Sequence, residues 1–197
     1  MMILPKPRTG KLIAIVGPSG AGKDTLIDAA RLKLADHPGV IFPRRIITRP
    51  SSPAEDHNTL SEAEFARIEK EGGFSLSWRA HGLSYALPLV VRDVVEHGIH
   101  AVCNLSRSSI GEARLRFPDV AVILVTAPAD VIAARLAARG RESAEVIRAR
   151  LARKVDREDA LHPDLSIIND GPVEAAVGRL MAYLQAELVD DRPAALT

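Results

Sequence analysis

The sequence predicts an α/β protein: a P-loop three-layer fold with a mostly parallel central sheet, a small inserted lobe and a helical lid. Three observations support this prediction. Short apolar runs alternate with segments of helical period, as in a parallel sheet covered by helices. A glycine-rich loop, residues 17–23, separates the first apolar run from the first helical segment. Residues 50–87 interrupt this alternation and have the pattern of a separate small lobe.

The individual elements follow from these periodicities. The predicted core strands are Leu12–Val16, Ile46–Thr48, Ile99–Asn104, Val120–Thr126 and Leu165–Ile168. The predicted core helices are Asp24–Leu34, Pro88–His97, Arg107–Phe117, Ala129–Arg139, Ser143–Arg157 and Pro172–Leu188. The lobe is predicted to contain a short helix that starts with a capping box at Ser61 and ends at Gly72-Gly73, then strands Phe74–Trp78 and Leu83–Leu87.

These elements predict a single domain over residues 11–188. Its core comprises residues 11–49 and 88–188, the lobe comprises 50–87, and the lid lies at about 139–157. We expect the ends, residues 1–10 and 189–197, to be flexible.

Composition excludes several classes of function. The 197 residues include 26 basic and 25 acidic side chains, so no field of one sign favours nucleic acid or a membrane as partner. The single cysteine, Cys103, allows neither a disulfide framework nor a thiolate metal site, and the six histidines lack ligand spacing. No apolar run approaches a membrane span, and residues 1–11 lack the apolar core of a signal peptide. We therefore expect a cytoplasmic protein with small-molecule partners, whose oligomeric state stays open.

The glycine-rich loop predicts a binding site for a nucleoside triphosphate. Its glycines let successive backbone N–H groups turn toward phosphate oxygens, and the start of the following helix adds partial positive charge. The lysine that ends the loop can reach the β- and γ-phosphates. The residues of this expected site are Gly17, Pro18, Ser19, Gly20, Ala21, Gly22, Lys23, Asp24 and Thr25.

Asp24 departs from the usual P-loop pattern, in which Ser or Thr after the lysine ligates Mg²⁺. A carboxylate is also a good oxygen ligand for this ion, so Asp24, assisted by Thr25, is a candidate metal-side residue. The alternative is that both residues cap the start of the helix. The candidate metal role gains weight because the two central strands end in Asn104 and Thr126, where a Walker B aspartate is expected.

Basic residues beside the second predicted core strand form a candidate site for a phosphorylated acceptor. Ligands of open α/β sheets bind beyond the carboxyl ends of the strands, and arginine suits bidentate recognition of phosphate. Arg49, fixed beside Pro50 at the entrance to the lobe, is the leading candidate. Arg44 and Arg45 have a second interpretation as a solvated edge.

A second basic cluster extends from Arg135 to Arg157. Within it, Arg150 with Lys154 and Arg153 with Arg157 are like-charge pairs one helical turn apart, which an anionic ligand would stabilise. With Gly140 as a hinge, the cluster fits a lid that closes arginines over transferring phosphates; a solvated basic helix is the alternative.

The chain resembles the guanylate kinase-like branch of the nucleoside monophosphate kinases. The resemblance rests on the loop Gly17–Lys23, Thr48-Arg49-Pro50, Phe74–Trp78, Arg139-Gly140 with Arg150-Leu151, and Asn169-Asp170. It implies that Arg49 binds the acceptor phosphate, that Arg139 and Arg150 are catalytic lid arginines, and that Asn169 lies near adenine. For Asn169, a simple turn before the last helix is the alternative.

Several positions differ from guanylate kinase, and these differences indicate a more specific family. The acidic residue that reads guanine is replaced by Ser77, and the second phosphate-binding arginine has no match in residues 50–53. Together with Ile47-Thr48-Arg49-Pro50 and Arg139-Gly140-Arg141-Glu142, these departures are similar to the ribose 1,5-bisphosphate phosphokinase family of bacterial phosphonate breakdown.

That resemblance implies ATP- and Mg²⁺-dependent phosphorylation of ribose 1,5-bisphosphate to phosphoribosyl diphosphate. It also implies an acceptor site that includes Arg45, Thr48, Arg49, Tyr85 and Arg107. Two rival hypotheses remain: a nucleoside monophosphate kinase of altered base specificity, and a non-catalytic guanylate kinase-like binding module. The intact loop and the arginine-rich lid argue against the second.

Overall fold

The computed structural model of the protein describes residues 9–50, 57–80, 82–138 and 161–190. In chain order these ranges contain β1 (Leu12–Val16), α1 (Lys23–Lys33), β2 (Val40–Ile41), β3 (Arg45–Ile47), β4 (His57–Thr59), α2 (Glu62–Lys70), β5 (Phe74–Ala80), β6 (Leu83–Pro88), α3 (Val90–Glu96), β7 (His100–Asn104), a 3₁₀ turn (Arg107–Ser109), α4 (Ile110–Arg116), β8 (Val120–Thr126), α5 (Ala129–Ala138), β9 (Leu165–Ile168) and α6 (Val173–Asp190).

A five-stranded parallel sheet forms the centre of the molecule, in the order β2-β7-β1-β8-β9. All five residues of β1 are buried, as expected for a strand with helices on both faces. On one face its side chains pack with α1 and α6, and on the other with α3 and α4. The predicted α/β fold with a mostly parallel central sheet is confirmed.

A second sheet of four strands, in the order β4-β3-β6-β5, lies beside the parallel sheet. It contains β3, so the prediction that Ile46–Thr48 is a strand of the core sheet is wrong. Those residues pair with β4 and β6 instead. In the parallel sheet, the strand that follows α1 and pairs with β7 is β2. Periodicity cannot assign a three-residue apolar run to one sheet or another, and β2, with two residues, is too short to give a signal. The second sheet therefore begins before residue 50, the predicted start of the lobe.

Helix α2 covers the outer face of the second sheet. It starts with the predicted capping box, in which the Ser61 hydroxyl and the Glu64 side chain each bond the other residue's backbone N–H. Its buried Phe65 packs against Phe74 and Ala86 in a small apolar cluster. The opposite face of this sheet presents Leu76, Trp78 and Leu87 to the core of the parallel sheet. Trp78 is therefore a packing residue between the two sheets.

Other elements agree with prediction within a few residues. The predicted helix Arg107–Phe117 is divided into the 3₁₀ turn and α4, and strand β4 was not predicted. The expected lid at 139–157 and both expected flexible ends, apart from residues 9–10 and 189–190, lie outside the described residues. Among the described helices, none has the length and apolar character needed to cross a membrane.

Candidate active site

The glycine-rich loop connects β1 to α1 and leaves no room for side chains at two of its glycines. At Gly17, with φ +144°, a Cβ atom would lie 1.9 Å from the carbonyl oxygen of Val125 in β8. At Gly22, with φ +95°, it would lie 2.4 Å from the Nδ2 atom of Asn169. Both positions therefore require glycine on steric and conformational grounds. This close packing fixes the loop between strands β8 and β9.

Lys23 is the first residue of α1, and its side chain turns back over the loop. The Nζ atom lies 2.9 Å from the carbonyl oxygens of both Gly17 and Pro18. These bonds hold an ammonium group across the mouth of the loop, where it can meet the oxygen atoms of a bound polyphosphate.

Asn169, directly after β9, is 3% exposed and joins the end of that strand to the loop. Its Nδ2 atom donates to the carbonyl oxygen of Ala21 at 2.8 Å. Its Oδ1 atom is buried and accepts no hydrogen bond within the described part of the chain. A buried acceptor of this kind normally has a partner, so it marks Asn169 as a residue that can receive a donor from a ligand. Asn169 therefore lies in the turn before α6 and also links that turn to the glycine-rich loop through its side chain.

Arg135 in α5 is a residue that the sequence analysis included in the basic cluster but did not single out. Its Nη1 atom is buried without a hydrogen-bond partner among the described residues, 4.0 Å from the Cβ position at Gly22. A guanidinium held this close to a phosphate-binding loop is suited to an anionic ligand. The sequence feature that could have indicated Arg135 is its position one helical turn before Arg139. Arg139 and Arg150 themselves lie outside the described residues.

Asp24 forms the contact between the loop and the neighbouring strand. One carboxylate oxygen, Oδ1, accepts a hydrogen bond of 2.7 Å from Asn104 Nδ2 and lies 3.9 Å from Arg45 Nη2. The N-cap of α1 is Gly22, without a side-chain hydrogen bond to the cap, and Asp24 is the acidic residue of the first turn. Its negative charge is favourable there whether or not a metal is bound. Thr25 is exposed on the first turn of α1.

The residues at the start of α1 fit a Mg²⁺ ion bound together with a triphosphate. Asp24 is 44% exposed at its side chain, so its carboxylate is accessible to a bound ion. No group of three or more His, Cys, Asp or Glu in the described part of the chain could hold a metal without other ligands. A Mg²⁺ ion here would take its remaining oxygen ligands from phosphates and water, as this ion commonly does.

Arg45 and Tyr85 form the wall of the site on the side of the second sheet. The Arg45 guanidinium lies 6.0 Å from the centre of the Tyr85 ring, and that ring stacks on Trp78 at 5.5 Å. Arg45 is 17% exposed at its side chain, so it is not the solvated edge residue of the alternative interpretation, whereas Arg44 is exposed. Nearby Cys103 is fully buried, and this burial raises the pKa of its thiol to about 12.

The turn that carries Arg49 is held by a network of side chains from the second sheet and α2. The Thr48 hydroxyl donates to Glu62 and accepts from the backbone N–H of Ser84, whose own hydroxyl donates to Glu62 at 3.0 Å. The carbonyl oxygen of Arg49 accepts from Thr59 Oγ1 at 3.0 Å and lies 3.3 Å from His57 Nε2. Hydrogen bonds from Thr48 and then Ser84 hold the pKa of the Glu62 carboxyl below its usual value.

Sequence reasoning missed this network because its members lie far apart in the chain. Glu62, at the start of α2, gave no separate signal, while Thr48 was predicted to bind the acceptor directly. In this structure its hydroxyl is bonded to Glu62 and to the backbone N–H of Ser84, and its contact with the acceptor stays a prediction. Arg107 begins the 3₁₀ turn that follows β7, three residues beyond Asn104.

Similar proteins were found by sequence and by structure, although no protein-family model matches the chain. Ribose 1,5-bisphosphate phosphokinase PhnN of Methylobacterium radiotolerans is 48% identical over 177 residues, which cover 90% of this chain and 98% of that protein. The enzyme of the same name from Rhodopseudomonas palustris is 49% identical over 162 residues, 82% of this chain and 81% of that protein. The crystal structure of guanylate kinase from Anaplasma phagocytophilum has a similar fold, with a TM-score of 0.67, 16% identity and coverage of 92% of this chain and 87% of that one.

A glycine-rich loop between strand and helix, a lysine across its mouth and a guanylate kinase fold define a P-loop kinase. The sequence identity to the Methylobacterium radiotolerans enzyme, 48% over 90% of this chain and 98% of that protein, is three times the 16% identity to the guanylate kinase. The chain belongs to the ribose 1,5-bisphosphate phosphokinase family.

Proposed function

We propose that this protein transfers the γ-phosphoryl group of ATP to the 1-phosphate of ribose 1,5-bisphosphate, giving 5-phospho-α-D-ribose 1-diphosphate and ADP. The observation that carries this proposal is Arg45, a largely buried cation between the P-loop carboxylate of Asp24 and the ring of Tyr85. An acceptor site with a cation at this position suits a substrate with phosphate groups. The names of the similar enzymes support the same substrate.

The reaction needs no general base in the protein. An oxygen of the 1-phosphate, which is largely ionised at neutral pH, attacks the γ-phosphorus, and the bond to the β–γ bridging oxygen breaks. The electron pair of that bond leaves with ADP. Catalysis then depends on alignment and on positive charge around the transferring group.

Lys23 supplies positive charge at the mouth of the loop, where its ammonium group exchanges the carbonyl oxygens of Gly17 and Pro18 for phosphate oxygens. Arg135 adds a second cation from α5, beside Gly22. We propose that Arg139 and Arg150 add further charge from the lid, as the family resemblance implies. When bound, Mg²⁺ neutralises charge on the β- and γ-phosphates; Asp24, assisted by Thr25, is the proposed protein group on its side.

The acceptor is proposed to bind between the loop and the second sheet. Arg49 and Arg45 would receive its phosphate groups, Arg107 would add charge from the end of β7, and Tyr85 would line the sugar. Thr48 contributes by holding the turn of Arg49, because its hydroxyl is bonded to Glu62. Asn169, with its unpaired buried oxygen, is proposed to accept a hydrogen bond from the adenine amino group.

Mg²⁺ is the cofactor of this proposal, ATP is the phosphoryl donor, and the proposed partners are small phosphorylated molecules. A cytoplasmic location is part of the same proposal, supported by the single buried thiol, which provides no disulfide for an oxidising compartment.

An acceptor panel tests the proposed function. The protein is assayed with ATP and Mg²⁺ against ribose 1,5-bisphosphate, ribose 5-phosphate, guanosine monophosphate and other nucleoside monophosphates, with ADP release and product identity measured. We expect kcat/KM to be highest for ribose 1,5-bisphosphate. Faster turnover of a nucleotide would instead assign the protein as a nucleoside monophosphate kinase. The absence of turnover with every acceptor, in protein that still binds ATP, would favour a binding module.

A further inference from the structure

Asn104 is the last residue of β7 and faces the start of α1. In the sheet it pairs with Ile15 of β1, directly beside the strand that leads into the glycine-rich loop. Its side-chain amide donates from Nδ2 to Asp24 Oδ1 at 2.7 Å. This is a contact between a strand end and the P-loop helix, across 80 residues of sequence.

Relative to the common P-loop arrangement, the carboxylate lies on the loop side and an amide takes its place at the strand end. In that arrangement a hydroxyl follows the loop lysine and an aspartate on a strand provides the carboxylate of the metal site. Here the carboxylate follows the lysine, and the strands on both sides of β1 end in Asn104 and Thr126. The carboxylate at this junction is therefore on the loop side, at Asp24, and neither strand beside β1 ends in one.

An amide at position 104 has a physical reason. A second carboxylate 2.7 Å from Asp24 would repel it, and an apolar side chain would leave the Asp24 carboxylate free to rotate. The Asn104 amide and the Arg45 guanidinium both approach Oδ1. Both of these recorded contacts are therefore made on the Oδ1 side of the carboxylate.

We propose that Asn104 is a positioning residue for the metal side of the site, which orients the Asp24 carboxylate through Oδ1 and leaves Oδ2 for the cation. The proposal rests on the part of the proposed function that assigns Asp24 to the metal. It implies that the site needs one carboxylate and one amide, and that their positions can be exchanged.

The test is a charge exchange between the two positions. We would prepare Asp24→Asn, Asn104→Ala, Asn104→Asp and the double variant Asp24→Asn/Asn104→Asp. Mn²⁺ binding would be measured by the electron paramagnetic resonance signal of free Mn²⁺, with a non-hydrolysable ATP analogue present. Asn58→Asp, which adds the same charge at an exposed position of β4, is the matched control. Melting temperature and the Mg²⁺ dependence of the kinase reaction are recorded for each protein.

We expect Asn104→Ala to weaken Mn²⁺ binding roughly 10-fold, the lower end for loss of a group that orients a metal ligand. Asp24→Asn should weaken it at least as much. The double variant should bind Mn²⁺ more tightly than Asp24→Asn, because it restores one carboxylate beside one amide. Asn58→Asp should bind Mn²⁺ like the unchanged protein.

Two results would overturn the proposal. One is unchanged Mn²⁺ binding in folded Asn104→Ala and Asn104→Asp; the other is a double variant no better than Asp24→Asn. If Asn104→Ala does not fold, the double variant decides, since it keeps both side-chain sizes. Mn²⁺ and nucleotide binding need no acceptor, so a failure of ribose 1,5-bisphosphate turnover would leave this test valid.

Discussion

At the scale of single residues, the active site depends on loop positions at which almost no other residue type fits. Gly17 and Gly22 bring the loop against β8 and Asn169, and Lys23 bridges two loop carbonyls. The motif predicted a tight glycine-rich loop that ends in this lysine, because the loop is a contiguous segment with its own local geometry. The bond between Asn169 and the loop could not, because it joins residues 148 apart in the chain.

Gly22→Ala tests the steric role of the loop glycine. The added methyl group would clash with Asn169 Nδ2 and would put an L-residue at φ +95°, a conformation that costs roughly 1–2 kcal/mol before the clash is counted. We expect a lower melting temperature and weaker ATP binding, measured by calorimetry. Gly111→Ala is the control: a Cβ there meets nothing within 4 Å, and alanine in α4 should leave ATP binding unchanged. Equal effects of the two substitutions would contradict this explanation.

Lys23→Ala tests the charge at the mouth of the loop. Removal of the ammonium group should abolish phosphoryl transfer if this cation stabilises charge on the transferring group, as proposed. The fold should remain, since the two bonds to Gly17 and Pro18 that are lost lie within the loop. Single-turnover kinetics and circular dichroism would measure the two effects. Lys33→Ala, in the last turn of the same helix, should retain activity. Near-normal turnover by folded Lys23→Ala would refute the proposed role.

At the scale of elements, the position of Arg49 is decided by contacts between β3, β4, β6 and α2. Its carbonyl oxygen and the neighbouring Thr48 hydroxyl are bonded to side chains of β4 and α2 and to a backbone N–H of β6. The sequence indicated that Arg49 lies at the entrance of a lobe. It could not indicate which strands meet there, because β4 has three residues and β3 pairs with non-local strands.

Glu62→Ala should therefore weaken binding of the acceptor without changing the binding of ATP. Loss of the carboxylate removes the partner of Thr48 and Ser84 and loosens the turn of Arg49. We expect the KM for ribose 1,5-bisphosphate to rise roughly fivefold, equivalent to about 1 kcal/mol for one hydrogen-bonded group, while the KM for MgATP stays constant. Glu112→Ala, which removes an exposed carboxylate paired along α4, is the control. A rise in the KM for MgATP alone would contradict this role of Glu62.

Arg49→Ala is the corresponding test of direct contact. If Arg49 binds an acceptor phosphate, its removal should lower kcat/KM for the acceptor by roughly 1.5–3 kcal/mol, the scale of a hydrogen bond to a charged group. ATP affinity, measured by titration, should hardly change. Arg92→Ala, at an exposed ion pair of α3, controls for loss of one positive charge. An effect on ATP affinity with unchanged acceptor kinetics would show that Arg49 has another role.

At the scale of the whole molecule, an ion pair at the opposite end of the parallel sheet joins the start of β1 to the last helix. Lys11 Nζ lies 2.8 Å from a Glu187 carboxylate oxygen, and Tyr183 also bonds Glu187. The bond to Glu187 raises the pKa of Lys11. Burial alone would raise the pKa of Glu187, but hydrogen bonds from Lys11 and Tyr183 outweigh this effect and lower it.

These shifts define the pH range in which the pair stabilises the fold. The lowered pKa of Glu187 makes its contribution present above the ordinary value of 4.5 and lost as pH falls through the folded-state pKa. The raised pKa of Lys11 makes its contribution present below the ordinary value of 10.5 and lost as pH rises through the folded-state pKa. The pair is therefore fully effective at neutral pH.

A double-mutant cycle with Lys11→Met and Glu187→Gln measures this contribution. Because Lys11 is 31% exposed at its side chain, we expect a coupling of about 1 kcal/mol in the free energy of unfolding at pH 7, near the upper end for exposed pairs. It should shrink as pH falls from 4.5 through the lowered folded-state pKa of Glu187. The same cycle on the exposed pair of Arg92 and Glu96 should give almost no coupling. Equal coupling in both cycles, or none at Lys11, would contradict the structural role.

The sequence by itself determined the parts of this protein that are local. The P-loop, the capping box of α2, the strands Leu12–Val16 and Val120–Thr126, and the family resemblance all depend on contiguous residues with a characteristic period or spacing. Only the tertiary structure decided that β3 belongs to the second sheet, that Asp24 bonds Asn104, and that Arg135 and Asn169 lie beside Gly22. The physical reason is that these contacts join residues distant in sequence, whose meeting depends on how strands pair and helices pack.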